Sequence, residues 1–169
     1  MRFLVFFLAL ALAACGASPP SADSQAALSA RPLKLPALQP NSTCSISPMQ
    51  NFASPPGQKL PGYGFGPGPV FLSGQTEWHS GQYALIMVSP DYSGPVVVRG
   101  HQLDGTNGMP FRAQQGNGNV SISPGSPGQW RSWNDFISGA PGCYGLQVDG
   151  VTFSEVIVFN IIGGPPPPA

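Results

Sequence analysis

The sequence predicts an all-β chain: a single immunoglobulin-like antiparallel β-sandwich that follows an N-terminal leader and a Pro-rich linker. Three observations predict it. Short apolar runs recur at close spacing and stop at Gly, Pro or Asp turns. Asp149-Gly150 lies between two such runs, a strong hairpin signal, because a two-residue type I′ turn needs positive φ at both positions. No stretch after Gly57 shows the 3.6-residue spacing of an amphipathic helix.

The elements follow in chain order. Val70-Phe71-Leu72 is a short strand candidate. Residues 82–89 form an apolar run ended by Pro90, and residues 95–100 are β-branched and stiff in the way strands favour. The turn residues Asp91-Tyr92-Ser93-Gly94 between them suggest that these two runs form one hairpin. Residues 109–114 give a weaker candidate, residues 119–123 alternate cleanly, and residues 129–133 and 135–138 read as a broken strand. The last hairpin joins residues 143–148 to residues 151–162. Its two-residue turn pairs Val148 with Val151, Leu146 with Phe153 and Tyr144 with Glu155. About seven strands result.

Upstream, one basic residue and an apolar run from Phe3 to Leu12 lead into Ala13-Ala14-Cys15. Small residues ahead of a cleavage point describe a secretory signal. The cysteine placed there makes it resemble a bacterial lipoprotein signal. That resemblance implies a lipid on Cys15 after cleavage, with the cysteine as first residue of the mature chain. A plain secretory signal with an incidental Cys15 is the alternative. A membrane-spanning helix is not, since a span needs about 20 apolar residues and Gly16, Pro19 and Pro20 cut this run short. Gly16 rather than Asp follows Cys15, which resembles the outer-membrane sorting pattern where the host has two membranes.

Composition divides the remainder. Eleven of the 21 prolines fall between Gly16 and Pro69, and four more form residues 165–168, so a Pro-rich segment leads into the strand-rich body. The expected domains are a signal at 1–14, a flexible tether at 15–43, a β-sandwich at 44–162 and a Pro-rich tail at 163–169. Charged residues are 8% of the chain, against about 25% in an ordinary soluble domain, and seven Lys+Arg balance seven Asp+Glu. Such a chain has no field to draw a polyanion, which excludes nucleic acid as a partner. If Cys15 carries lipid, Cys44 and Cys143 are left to pair with each other in an oxidising compartment. Two separately buried thiols are the alternative.

The run from Gly94 through Val96-Val97-Val98-Arg99-Gly100-His101-Gln102-Leu103-Asp104-Gly105, followed by Pro141-Gly142-Cys143-Tyr144 and the hairpin to Phe159, resembles a group of uncharacterised exported bacterial lipoproteins. Their shared elements are a strand-Gly-x-x-Leu-Asp unit, a Gly-Cys-aromatic strand and a second cysteine near the mature N-terminus, matched here by Cys44. The resemblance spans about Cys44 to Phe159. It implies the sandwich and the disulfide, and supplies no catalytic residue.

No catalytic motif stands out. His79 and His101 lack ligand spacing and read as loop residues, and no Cys/His cluster offers a metal site. No serine lies in Gly-x-Ser-x-Gly or Ser-x-x-Lys, and Pro67 and Pro69 spoil the Gly-rich run from Gly62 as a phosphate loop. Asp104 and Asp149 read as turn residues rather than a hydrolytic pair. The candidate binding residues are the aromatics Trp78, Tyr92, Trp130 and Trp133, which could stack on sugars or anchor a protein partner. Trp130 and Trp133 are three apart and therefore point to opposite faces of a strand. The expectation is a non-enzyme without metal or cofactor, tied to the cell envelope through lipid on Cys15. Its role is binding or envelope support, with an envelope protein or glycan as partner. The alternatives are a carbohydrate-binding module using exposed Trp and Tyr and, less favoured, an exported hydrolase.

Overall fold

The computed structural model describes residues 22–39, 42–53, 60–114 and 118–165. The expected β-sandwich forms. One sheet, A, is built from β1 (Met49–Asn51), β2 (Tyr63–Phe65), β3 (Val70–Ser73), β5 (Tyr83–Val88) and β8 (Arg131–Phe136), in that order. The other, sheet B, runs β4 (Trp78–His79), β10 (Ser154–Ile162), β9 (Gly142–Gly150), β6 (Val96–Gln102) and β7 (Val120–Ile122). The ladders are antiparallel except at the edge, where β4 lies parallel to β10.

Alternation along the strands builds the core. Val70 and Leu72 of β3, Ile86 and Val88 of β5, Val96 and Val98 of β6, Leu146 and Val148 of β9, and Ile157 and Phe159 of β10 meet between the sheets. Burying side chains of this size contributes about 1.5–3 kcal/mol each relative to exposure. A bridge between Cys44 and Cys143 closes the domain, with Cα atoms 5.6 Å apart and a sequence separation of 99.

Four expectations need correction. The runs at β5 and β6 are not a hairpin. The link through Pro90 and Pro95 crosses between sheets, so β5 pairs with β3 and β8, whereas β6 pairs with β9 and β7. The last hairpin turns later than Asp149-Gly150. Gly150 N–H donates to the Phe153 carbonyl at 3.0 Å around Val151-Thr152, Glu155 faces Val148, and Phe159 faces Tyr144. The displacement is an even number of residues, so the inward face of β10 is kept. His79 and His101 lie in strands β4 and β6, not loops.

The fourth correction concerns the tether. Within the expected spacer, helix α1 (Ala22–Ser29) and the chain after it lie on the outer face of sheet B, which thereby gains a third layer. Alanines favour the helix and Pro32 cannot continue it. Leu28 is buried against this face, where Val97 is also buried. Arg31 donates to the carbonyls of Gly150 (2.8 Å) and Phe153 (3.1 Å), and the Lys34 amide donates to Gln147 Oε1 at 2.5 Å. In return, Gln147 Nε2 donates to the Pro32 carbonyl at 3.1 Å. A Pro-rich segment has few internal backbone bonds, and here strand side chains and a returning arginine supply them. The Cys15 anchor and the leader lie outside the described residues. Among those described, no helix is long and apolar enough to cross a membrane.

Candidate aromatic cleft and the buried Asp149 cluster

Where β1 meets the turn into β3, the chain makes a concavity on the outer face of sheet A. Val70 and Leu72 point into the core, so Phe71 between them points out. Phe52 follows β1 and packs on Phe71 with ring centroids 5.1 Å apart, and Trp130 lies 4.7 Å from Phe52 and 6.5 Å from Phe71. The turn is tight because Gly68 holds φ at +81°, and a side chain there would also press on the Phe71 ring. The result is a cleft of about 370 Å³, open at the side, with Gln50, Asn51 and Asp91 on its rim. Gln50 Nε2 donates to the Gly66 carbonyl at 2.6 Å, which fixes that amide and leaves its oxygen as an acceptor. Asn51 and Asp91 are exposed. Rings below and uncharged or acidic polar groups above suit an uncharged ligand with flat apolar faces and hydroxyls.

The four aromatics singled out from sequence do not share a face. Trp78 is only 2% exposed and sits edge-on to Phe159 at 5.9 Å, so it cannot stack on a ligand. Trp133 turns inward, edge-on to Phe111 at 5.2 Å. Tyr92 is a structural pin: its hydroxyl donates to the Pro95 carbonyl and accepts from Val151 N–H, each at 2.8 Å, and its ring meets Phe153. Only Trp130 of the four lines the cleft. Trp130 and Trp133 do point to opposite faces, as their spacing requires. Phe52, Phe71, Asn51 and Asp91 are absent from the sequence-based set, because nothing local tells which face of β3 remains accessible.

The carboxylates are engaged elsewhere. Asp104 accepts the Cys143 amide at 3.0 Å on both oxygens, and Gln102 Nε2 at 2.9 Å. That ties the Leu-Asp unit after β6 to the strand carrying the disulfide. Asp149 belongs to β9, not to a turn, and its side chain is fully buried. It accepts from Arg99 Nη2 at 2.6 Å, Ser154 Oγ at 2.7 Å and Gln147 Nε2 at 2.9 Å, with Arg31 Nη1 at 3.7 Å. Burial opposes its ionisation, yet the bonds from Ser154, Arg99 and Gln147, with the Arg99 charge, outweigh burial and hold the carboxyl below its ordinary value. Arg99 Nη1 also donates to the carbonyls of Ser29 (2.9 Å) and Arg31 (2.6 Å), so the cluster fastens the N-terminal layer. It is a structural ion pair, with both carboxylate oxygens and both terminal nitrogens of Arg99 engaged.

His79 is buried, with Nδ1 3.3 Å from the Gly164 carbonyl, whereas His101 is exposed on β6. Among the described residues no group of three or more His, Cys, Asp or Glu could hold a metal ion. No family model matches the chain, and no curated protein or solved structure is significantly similar to it.

Proposed function

We propose that this chain is a non-catalytic binding module, anchored by lipid on Cys15 outside the cytoplasm, and that it belongs with the exported bacterial lipoproteins its strand motifs resemble. The observation that carries the binding role is the cleft of Phe52, Phe71 and Trp130 beneath the Gln50, Asn51 and Asp91 rim. Its chemistry favours a saccharide over the other envelope partners: the half-buried rings of Phe52 and Trp130 offer stacking surfaces over the buried Phe71, amides and a carboxylate offer hydrogen bonds to hydroxyls, and no cation is among the described lining residues to invite a phosphate. Supporting the anchor is the leader pattern ending in Cys15.

The two halves of the proposal are tested separately. Cys15→Ser stops incorporation of labelled palmitate and moves the protein from the membrane to the soluble fraction. Unchanged fractionation rules out the anchor. In the cleft, Trp130 serves as its own reporter, since a saccharide that stacks there alters its emission. Cellobiose and chitobiose titrations should change the fluorescence of the wild type but not of Trp130→Phe. Equal responses from both proteins would refute the cleft as the site.

A further inference from the structure

We propose that the binding face does not end at the cleft but continues along strand β8 to Tyr83 and Phe136, and that it takes an extended, uncharged, β-linked glycan. The inference rests on the saccharide reading of the cleft and adds a second subsite with a defined direction. Trp133 turns inward onto Phe111, so its alternate neighbours Ser132, Asn134 and Phe136 turn outward. Ser132 and Asn134 are exposed. Trp130 reaches the same outer face, because it packs on the outward-pointing Phe71. At the other end Phe136 meets Tyr83 edge-on at 5.7 Å, and these two rings are 38% and 40% exposed.

Aromatic, hydroxyl, amide, aromatic is thus the order along one face from 130 to 136. At about 3.3 Å per residue the two aromatic stations lie roughly 20 Å apart, room for several sugar units in a line. Between them Met87 and Leu85 face Ser132 and Asn134 in the register and are buried, so the middle of the path presents neutral polar groups. The Arg112 guanidinium covers the Phe136 ring at 4.6 Å from its centroid and holds it in place, which leaves Tyr83 as the stacking surface.

A peptide adding to the edge of β8 fits less well. The Ala113 amide donates to Asp135 at 2.6 Å, and Phe111 bridges Ile137, so chain already lies along that edge. A straight ribbon of hydroxyls with apolar ring faces matches a flat strand-long path. β-Linked pyranose chains have that shape.

The experiment is calorimetric titration of the folded chain with cello- and chito-oligosaccharides, comparing disaccharide with hexasaccharide. The wild type should bind the hexasaccharide at least about tenfold more tightly than the disaccharide. Tyr83→Ala, at a position 40% exposed and outside the core cluster, should bring the hexasaccharide down to the disaccharide's affinity and leave the disaccharide unaffected. Trp130→Ala should abolish both. Equal wild-type affinity for the two lengths, or hexasaccharide binding indifferent to Tyr83→Ala, overturns the extended path while the cleft stands. Failure of the wild type to bind either length overturns the cleft reading and this inference together.

Discussion

Replacing Asp149 by Asn removes the buried charge that compensates Arg99. The carboxylate side chain is fully buried and Arg99 only 17% exposed, with 2.6 Å between them. Breaking one partner of a buried pair costs about 3–5 kcal/mol, because the other charge is left uncompensated. Arg99 keeps the carbonyls of Ser29 and Arg31, and some solvent, so about 3 kcal/mol is expected, the low end of that range. For a domain of this size that corresponds to a fall of roughly 10 °C in melting temperature. The loss should be local as well as global, since Arg99 and Gln147 fasten the residues after α1. Trypsin can read this directly, because Lys34 lies in that layer and is followed by Leu35, whereas Pro32 blocks cleavage after Arg31. Circular dichroism melts and limited proteolysis of Asp149→Asn should show the lower melting temperature together with faster cleavage after Lys34. A variant that melts like the wild type and resists trypsin equally would refute the role assigned to the ion pair.

The same carboxylate sets an acid limit. Its folded value lies below the ordinary 3.8, so its contribution is complete above about pH 4 and is lost as pH falls through the depressed value. The stability gap between wild type and Asp149→Asn should therefore be flat from neutral pH to about pH 4 and close below it, measured by urea unfolding across pH; a gap that closed nearer neutrality would contradict the assignment. Reduction of Cys44–Cys143 frees a long loop and should cost up to about 4.7 kcal/mol, seen as a lower melting temperature in reductant. An unchanged melt after thiol labelling had verified reduction would count against that stabilisation.

What was legible in the sequence was what short-range pattern encodes. The apolar and β-branched runs at β5, β6, β9 and β10 announced strands, and the separation of Trp130 from Trp133 correctly set them on opposite faces. The misreadings have long-range causes. Asp149-Gly150 has turn chemistry, but the carboxylate is held in β9 by Arg99, fifty residues away, and by Ser154 across the hairpin. Neighbouring runs at β5 and β6 look like a hairpin because the sequence does not show that the link between them changes sheets. The cleft is half visible in the sequence: Trp130 stands out as an aromatic candidate, whereas Phe52 and Phe71 matter only once β2 brings β1 and β3 into one sheet. The layer formed by residues 22–39 was invisible, since Ser, Ala and Pro there read as spacer and its partners are more than fifty residues downstream.

That layer separates two boundaries that are often taken as one. By the expected disulfide the domain starts at Cys44; by its contacts it starts no later than helix α1. A chain trimmed to the first boundary would keep the disulfide and all ten strands of the described residues. It would also uncover Val97 and Gln147, open the Asp149–Arg99 pair to solvent, and strip Arg99 of the two carbonyls it now serves. The outer face of sheet B is therefore an interior surface, and cutting at Cys44 would turn it into an exterior one.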